Sequence, residues 1–410
     1  MSIPLRAALV AVSLAAAPAA AAPLSLEQAV ARAVAGAPVL AANAAAVDAA
    51  RGGRLQAGVR PNPIVSIDVE NFVGVPVGPT FREQAQITGT YEQRLERGSK
   101  RSARVALAQA DIAVAEAAGA VLRLDLAQQV QRAFGDVLLA DEAVAVAGRA
   151  LAIERGLAAE ARRRVVAARD PLFVGTAADA RVAKAALALA QARARTAASR
   201  AGLAQYWGDT GGSLEVVGDV LARPRVGALS AADTQVAAAD TARAAAAVAN
   251  EQALARQDWT VGAGTRLIRQ TESVALVATV SIPLGRFDRN EGNIARARAE
   301  RASTEFAAEA SRLDRQRQLG RLARDADLAA AEATAVRGDL LPRHRKALAQ
   351  VREGYARGGF AFRDLQDAAD RIIAAEDDYL AALAALRTAE AGIDRLTGRL
   401  ADAAELETRR

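Results

Sequence analysis

The sequence has no cysteine, one histidine and one methionine in 410 residues. Without cysteine there is no disulfide, no thiol nucleophile and no cysteine that could carry a lipid. The methionine is Met1. The histidine, His344, sits in "LPRHRKA", a basic helix start with no neighbours that suggest catalysis or ligation. Soft metal ligands are missing, so the expectation is no metal site, no cofactor and no enzyme. Aromatic residues make up only 3% of the chain. A compact enzyme fills its core with larger side chains. An alanine surplus with regularly spaced charges points to long helices packed closely on one another.

Long apolar runs are scarce too. Beyond the first residues no uninterrupted stretch of about 18 apolar residues occurs. Asp233, Asp240 and Arg243 break up the alanine run at 228–249. A membrane protein of this composition would have to use strands closed into a barrel. Residues 1–22 read as an export signal: Arg6 is the positive start, Ala7–Ala17 the apolar run, and Ala19–Ala22 the small residues before cleavage near Ala21 or Ala22. The formal charge is +6, one less once Arg6 leaves with the signal. The charges are interleaved, with no basic-aromatic cluster, so no nucleic-acid partner is expected.

The chain also repeats itself. "YEQRLERGSKRSARVALAQA" (Tyr91–Ala110) superimposes on "VSIPLGRFDRNEGNIARARA" (Val280–Ala299), placing Leu95 on Leu284. "DPLFVGTAADA" (Asp170–Ala180) superimposes on "GGFAFRDLQDA" (Gly358–Ala368), placing Asp179 on Asp367, and Gly208 falls on Gly398. Three matches at one offset of about 190 residues indicate a duplicated unit. The expected organisation is a first repeat at 23–210, a linker at 211–227, a second repeat at 228–400 and a tail at 401–410. Each repeat reads as a helix (25–58 and 230–257), two strands, a long helix (about 99–140 and 291–330), and a returning helix interrupted near 169–175 and 357–363, where glycine, proline and aromatic residues gather.

The strands are expected at 64–73, 84–95, 259–268 and 274–284. Val65, Ile67 and Val69 alternate with Ser66, Asp68 and Glu70; Val274, Leu276, Ala278, Val280, Ile282 and Leu284 share one face. One apolar and one polar face over roughly ten residues is the pattern of an outer-membrane barrel. A soluble sheet packed on helices would alternate in the same way. Export and the long helices favour the barrel. Four strands cannot close one, since about eight is the usual minimum, so subunits must share it. Trp207, Trp259, Phe72 and Tyr91 are candidates for the membrane–water interface.

With these features the chain resembles the outer-membrane efflux protein family of the TolC type, over nearly all of its exported part. "SIPLGRFDRNEGNI" resembles the second-repeat junction of the heavy-metal efflux, CzcC-like branch. "QQVQRAFGDVLLADEAV" (Gln128–Val144) resembles the family's first periplasmic helix-turn-helix tip, and "GGFAFRDLQDA" its equatorial segment. The resemblance implies a mainly α fold with a β-barrel portion: a homotrimer forming a twelve-stranded barrel in outer-membrane lipid, continued by a periplasmic α-helical barrel. It implies a passive conduit for heavy-metal cations in a Gram-negative outer membrane. The partners would be a periplasmic adaptor (membrane fusion protein) and an inner-membrane pump of the resistance-nodulation-division (RND) class. Drug efflux and type I protein secretion use the same fold and stay open as alternatives. A soluble coiled-coil adaptor is a third reading, which the two repeated hairpin–helix units disfavour.

Carried onto this sequence, the tip places Asp136, Asp141 and Glu142 at the first turn, with Asp325 and Asp327 near the second. Each would become a ring of three carboxylates in the pore, or else a solvated charge. Phe134, Val137, Leu138, Leu139 and Ala140 would contact the adaptor, or hold the two tip helices together. Leu95 and Gly98, and Pro283, Leu284, Gly285 and Asn290, mark the two barrel-to-helix junctions. Pro283 ends regular pairing, Gly285 lets the chain bend, and Asp288 or Asn290 is the expected helix cap.

Overall fold

The structure, a computed structural model, describes residues 23–72, 84–210 and 214–401. The expected signal segment, Val73 of the first expected strand, and residues 402–410 of the tail lie outside the described residues. The chain begins with α1 (Leu26–Ala35), started by a reciprocal capping box between Ser25 and Gln28, and α2 (Pro38–Ala57), started by proline. The single helix expected over 25–58 is therefore two, bent by 48° at Gly36–Ala37.

Next come β1 (Ile64–Glu70) and β2 (Gln86–Leu95), then α3 (Lys100–Val166) and α4 (Leu172–Ala204). The second half follows the same order: α5 (Ala231–Leu254), β3 (Trp259–Ile268), β4 (Ser273–Ser281), α6 (Glu291–Ala335), a π turn (Val336–Leu340), α7 (Leu341–Arg357) and α8 (Phe362–Thr397). At 1.5 Å per residue the 67-residue α3 is about 100 Å long. Part of α3 is apolar enough by length and composition to cross a membrane, contrary to the sequence expectation. Its apolar character comes largely from alanine and valine, and it packs laterally on α2, α4, α5 and α8.

The four strands form one antiparallel sheet in the order β1-β2-β3-β4, so both halves contribute to a single surface. Val65, Tyr91, Ala263 and Ala278 lie side by side on its apolar face, as do Val69, Ile87, Leu267 and Val274. On the polar face Ser66 and Thr90 share a hydrogen bond of 2.6 Å, and Arg266 donates to Thr88 at 3.0 Å. Gly264 lies so close to β2 that an added Cβ would stand 2.2 Å from the Gly89 carbonyl oxygen. Only glycine fits there. The apolar face is open: Val65, Ile67, Val274, Leu276 and Val280 are all exposed. Among the described residues β1 and β4 are unpaired on their outer edges.

Below the sheet, α2, α3, α5 and α6 stand in the same lateral order as β1 to β4. Farther down, α4 replaces α2 beside α3, while α8 packs on α3, α6 and α7. The π turn precedes Pro342, which has no N–H to return to the carbonyl four residues back; the wider turn absorbs that missing bond without ending the helix.

The junctions differ from expectation in two respects. β2 ends at Leu95, opposite Trp259, and Gly98 takes φ +72° with Arg256 pressed where a Cβ would be. β4 stops at Ser281, leaving Ile282, Pro283, Leu284 and Gly285 in the connector. Neither Asp288 nor Asn290 caps α6 with its side chain. Asn290, at φ +60°, donates instead to the Glu251 carbonyl oxygen at 2.9 Å and its carboxylate at 2.8 Å, tying the start of α6 to the end of α5. Lys100 and the Arg97 amide both donate to Asp258, at 2.8 and 3.1 Å, and so join the two repeats.

Candidate functional site at the helix reversals

The expected tip at 128–144 is absent, because α3 runs through it without a break. Phe134 and Val137 are buried instead in a core with Leu24, Val30, Val130, Leu203 and Leu400, against which Leu138 packs. That core is built from the start of α1, the middle of α3 and the ends of α4 and α8. The linker straps it: Leu24 N–H donates to Glu215 at 2.8 Å, and Val217 N–H to Leu24 at 3.0 Å. Leu139 packs on the neighbouring cluster around Val336, Leu341 and Ile372, and Ala140 is half-buried. Trp207 packs on the Leu24 core too, far from the sheet, so it is no membrane-interface residue. Distant segments cover an apolar ridge that, read alone, looked like an exposed turn.

The carboxylates follow. Asp141 is paired with Arg200 at 3.0 Å and Glu142 with Arg149 at 3.1 Å. Asp136, Asp325 and Asp327 are exposed and have no ion-pair partner among the described residues. Asp136 and Asp327 each lie some thirty residues, about 45 Å of helix, before the chain reverses. They stand mid-wall rather than at a tip.

The reversals are at 167–171 and 358–361, where the sequence suggested only an interrupted helix and an equatorial segment. The two are built alike. Arg169 N–H donates to the Arg164 carbonyl and Ala168 N–H to Val165, at 2.8 and 3.0 Å; Gly359 N–H donates to Gly354 and Gly358 N–H to Tyr355, at 2.9 and 3.0 Å. This is the Schellman closure, whose pivot needs positive φ. Ala168 has φ +55° and Gly358 φ +85°.

The two reversals are locked to each other. Arg164 donates from Nε and Nη2 to the Asp170 carboxylate, both at 3.1 Å, and from Nη1 to the Tyr355 carbonyl. Its guanidinium lies 4.4 Å from the Tyr355 ring centre, and the Tyr355 hydroxyl donates to Asp170. Burial works to raise the Asp170 pKa, but the hydrogen bonds from Arg164 and Tyr355 outweigh it and leave the carboxyl below its ordinary value. Burial, then the bond to Asp170, pushes the Tyr355 hydroxyl up. The Tyr355 side chain is fully buried and meets Phe362 at 5.9 Å between ring centres. Arg181 of α4 binds Glu154 and Asp370, and Arg352 binds Glu160 at 3.0 Å, extending the lock up the wall. Outside it, Val166, Leu172 and Phe173 are 87%, 81% and 70% exposed, and Phe360 is 46% exposed. Among the described residues no cluster of three or more carboxylate or histidine side chains is placed to hold a metal ion.

No family model matches the sequence. The cobalt-zinc-cadmium resistance protein CzcC of Cupriavidus metallidurans is 32% identical over 391 residues, covering 93% of this chain and 91% of CzcC. The chain belongs to the CzcC-like branch of the TolC-type outer-membrane efflux family. Family membership makes it an outer-membrane channel protein that extends into the periplasm. The folds agree. The outer-membrane channel OprN superimposes with a TM-score of 0.72 at 19% identity, covering 91% of this chain and 89% of OprN. VceC of Vibrio cholerae gives 0.70 at 17%, covering 91% and 96%. The sequence carries one signal for the reversals: the repeat aligns 170–180 with 358–368, and the second segment opens on Gly358-Gly359. An alanine in the first copy hid it.

Proposed function

We propose that three copies of this chain close into one duct that passes divalent metal cations out of a Gram-negative periplasm. The observation that carries the reading is the open four-stranded sheet standing in register over an open helical wall. Among the described residues β1 and β4 are free edges, and an exposed strand edge of a native protein is paired, covered or charged. Pairing β4 of one copy with β1 of the next removes both edges, and three copies supply twelve strands. The exposed apolar face then meets lipid and the polar face lines the lumen. The cargo is suggested by the similarity to CzcC, a cobalt-zinc-cadmium resistance protein.

The duct itself is a passive conduit without catalysis. Asp136, Asp325 and Asp327 mid-wall, and Asp367 two turns from the second reversal, are exposed carboxylates without ion-pair partners among the described residues. Tripled about an axis, they favour cations without binding them tightly. The exposed Val166, Leu172, Phe173 and Phe360 form the surface for a periplasmic adaptor, in place of Phe134–Ala140. The adaptor joins the duct to an inner-membrane RND pump.

Deleting the gene tests the cargo: cobalt, zinc and cadmium sensitivity should rise, and drug sensitivity alone would sink the metal reading. Leu172→Ser with Phe173→Ser tests the docking surface. Stability should change by less than about 1 kcal/mol, because both side chains are already exposed. Adaptor recovery on affinity capture and metal tolerance should both fall.

A further inference from the structure

The foot of the sheet carries more positive charge than its carboxylates balance. β2 ends at Leu95 opposite Trp259, and β3 meets β4 at Thr260–Ser281, so the chain leaves the sheet for the helices at one level. At that level a cavity of about 480 Å³ is lined by Arg60, Arg94, Arg101, Leu95, Glu96 and Ser102 among others. Glu96 is taken by Arg104, and nearby Asp258 by Lys100. Arg60 and Arg101 are exposed and have no carboxylate partner among the described residues, while Arg94 is exposed and lies within electrostatic reach of Glu96 and Asp258. Two free guanidiniums on one cavity suit a phosphate, which each can bind through paired N–H donors.

A second observation, on the other repeat, says what surrounds such a phosphate. In the connector after β4, Leu284 and Phe287 are 86% and 93% exposed. The Arg286 guanidinium stands 5.7 Å from the Phe287 ring centre, and neither Arg286 nor Arg289 has a carboxylate partner among the described residues. Large bare apolar side chains beside free arginines, just below an apolar sheet face, are the pattern of a membrane–water boundary. Leu95 in the cavity wall lies on the same face of β2 as Ile87 and Tyr91, which puts part of that wall under the apolar face, whereas Arg94 lies on the polar face with Thr88 and Thr90.

We infer that Arg60 and Arg101, on the wall of this cavity, bind the phosphate of an anionic phospholipid, with Leu284 and Phe287 among its acyl chains. The inference rests on the outer-membrane duct reading; ring closure would bring the connector of one copy beside Arg60 of the next. Basic pockets at a membrane boundary recognise anionic headgroups in this way.

The full-length protein in a neutral detergent would be titrated with short-chain phosphatidylglycerol, short-chain phosphatidylcholine and inorganic phosphate, with bound ligand read by native mass spectrometry. Phosphatidylglycerol should be retained over phosphatidylcholine. R60Q/R101Q should lose that preference by roughly fivefold per charge removed, and R60K/R101K should keep most of it. Equal retention of the two lipids by the wild type overturns the inference, whatever the variants do. Inorganic phosphate binding as tightly as phosphatidylglycerol reassigns the cavity to a soluble anion and also overturns it. So does a glutamine variant that weakens the trimer with lipid preference intact, since the arginines would then serve a neighbouring subunit. Fractionation separates the two levels: an outer-membrane protein without lipid preference loses only this inference, whereas a soluble one loses the duct reading as well.

Discussion

The two reversals share a backbone and differ in what they contribute. Each ends a descending helix with the same pair of hydrogen bonds and restarts the next from an extended residue, Pro171 or Ala361. The first places alanine at the positive-φ pivot and supplies the charged half of the lock, Arg164 and Asp170. The second places glycine there and supplies the buried ring, Tyr355. Duplication kept the fold of the turn and let its side chains specialise. A contact between two unlike copies can be opened by changing one partner, which two identical copies would not allow so simply.

Removing the ring should have the largest effect. Tyr355→Ala takes out a fully buried side chain together with its bond to Asp170, and large-to-small changes of this kind cost about 3–5 kcal/mol. Thermal unfolding should show the loss, and single-channel conductance should rise as the two hairpins separate. Phe173→Ala, on the exposed side of the first reversal, should change stability by about 0.5 kcal/mol or less. Similar costs for the two would refute the assignment of the lock to Tyr355.

Next in size is Asp170→Asn, which keeps the shape but removes the charge that Arg164 binds. Charge-assisted hydrogen bonds contribute about 1.5–3 kcal/mol. Its pH dependence has a definite sign. Asp170 has a lowered pKa, so its contribution is complete above the unfolded value of about 4 and is lost as pH falls through the folded one. Tyr355 has a raised pKa, so its contribution holds below about 10 and is lost as pH rises through the folded value. Conductance of the wild type should therefore rise on acidification below about pH 4, and Asp170→Asn should abolish that step. An unchanged acid step in the variant would move the titrating group elsewhere.

Smallest is an exchange at the pivots. Ala168→Gly should stabilise and Gly358→Ala destabilise, each by roughly 1 kcal/mol, because only glycine adopts positive φ without strain. Paired denaturant titrations would show opposite signs. Equal signs would mean that the surrounding lock, not the pivot, sets the local energy.

Much of the fold is legible in the sequence. The strand bounds came within about three residues, because alternation over paired faces is a strong local signal. The strand-to-helix transitions are signalled by proline, glycine and a run of charge, which change the period abruptly, though not the strand end at Ser281 or the missing side-chain cap. The site was read less well. Glycine at 358 announces a stop, but Ala168 does not, since alanine is the best helix former. The Phe134–Ala140 ridge looked like a tip because nothing within it shows that Leu24, Leu203 and Leu400 cover it.

By itself the sequence determined the duplication, the two-faced strands, the junctions and the family, since each is a matter of period or of local residue type. Tertiary structure alone decided where the long helices turn and which apolar residues stay bare. Helical periodicity is the same on a helix that ends and on one that continues. Only the packing of distant segments, α1 and the linker on α3, and Tyr355 on Arg164 and Asp170, separates the middle of the wall from its end.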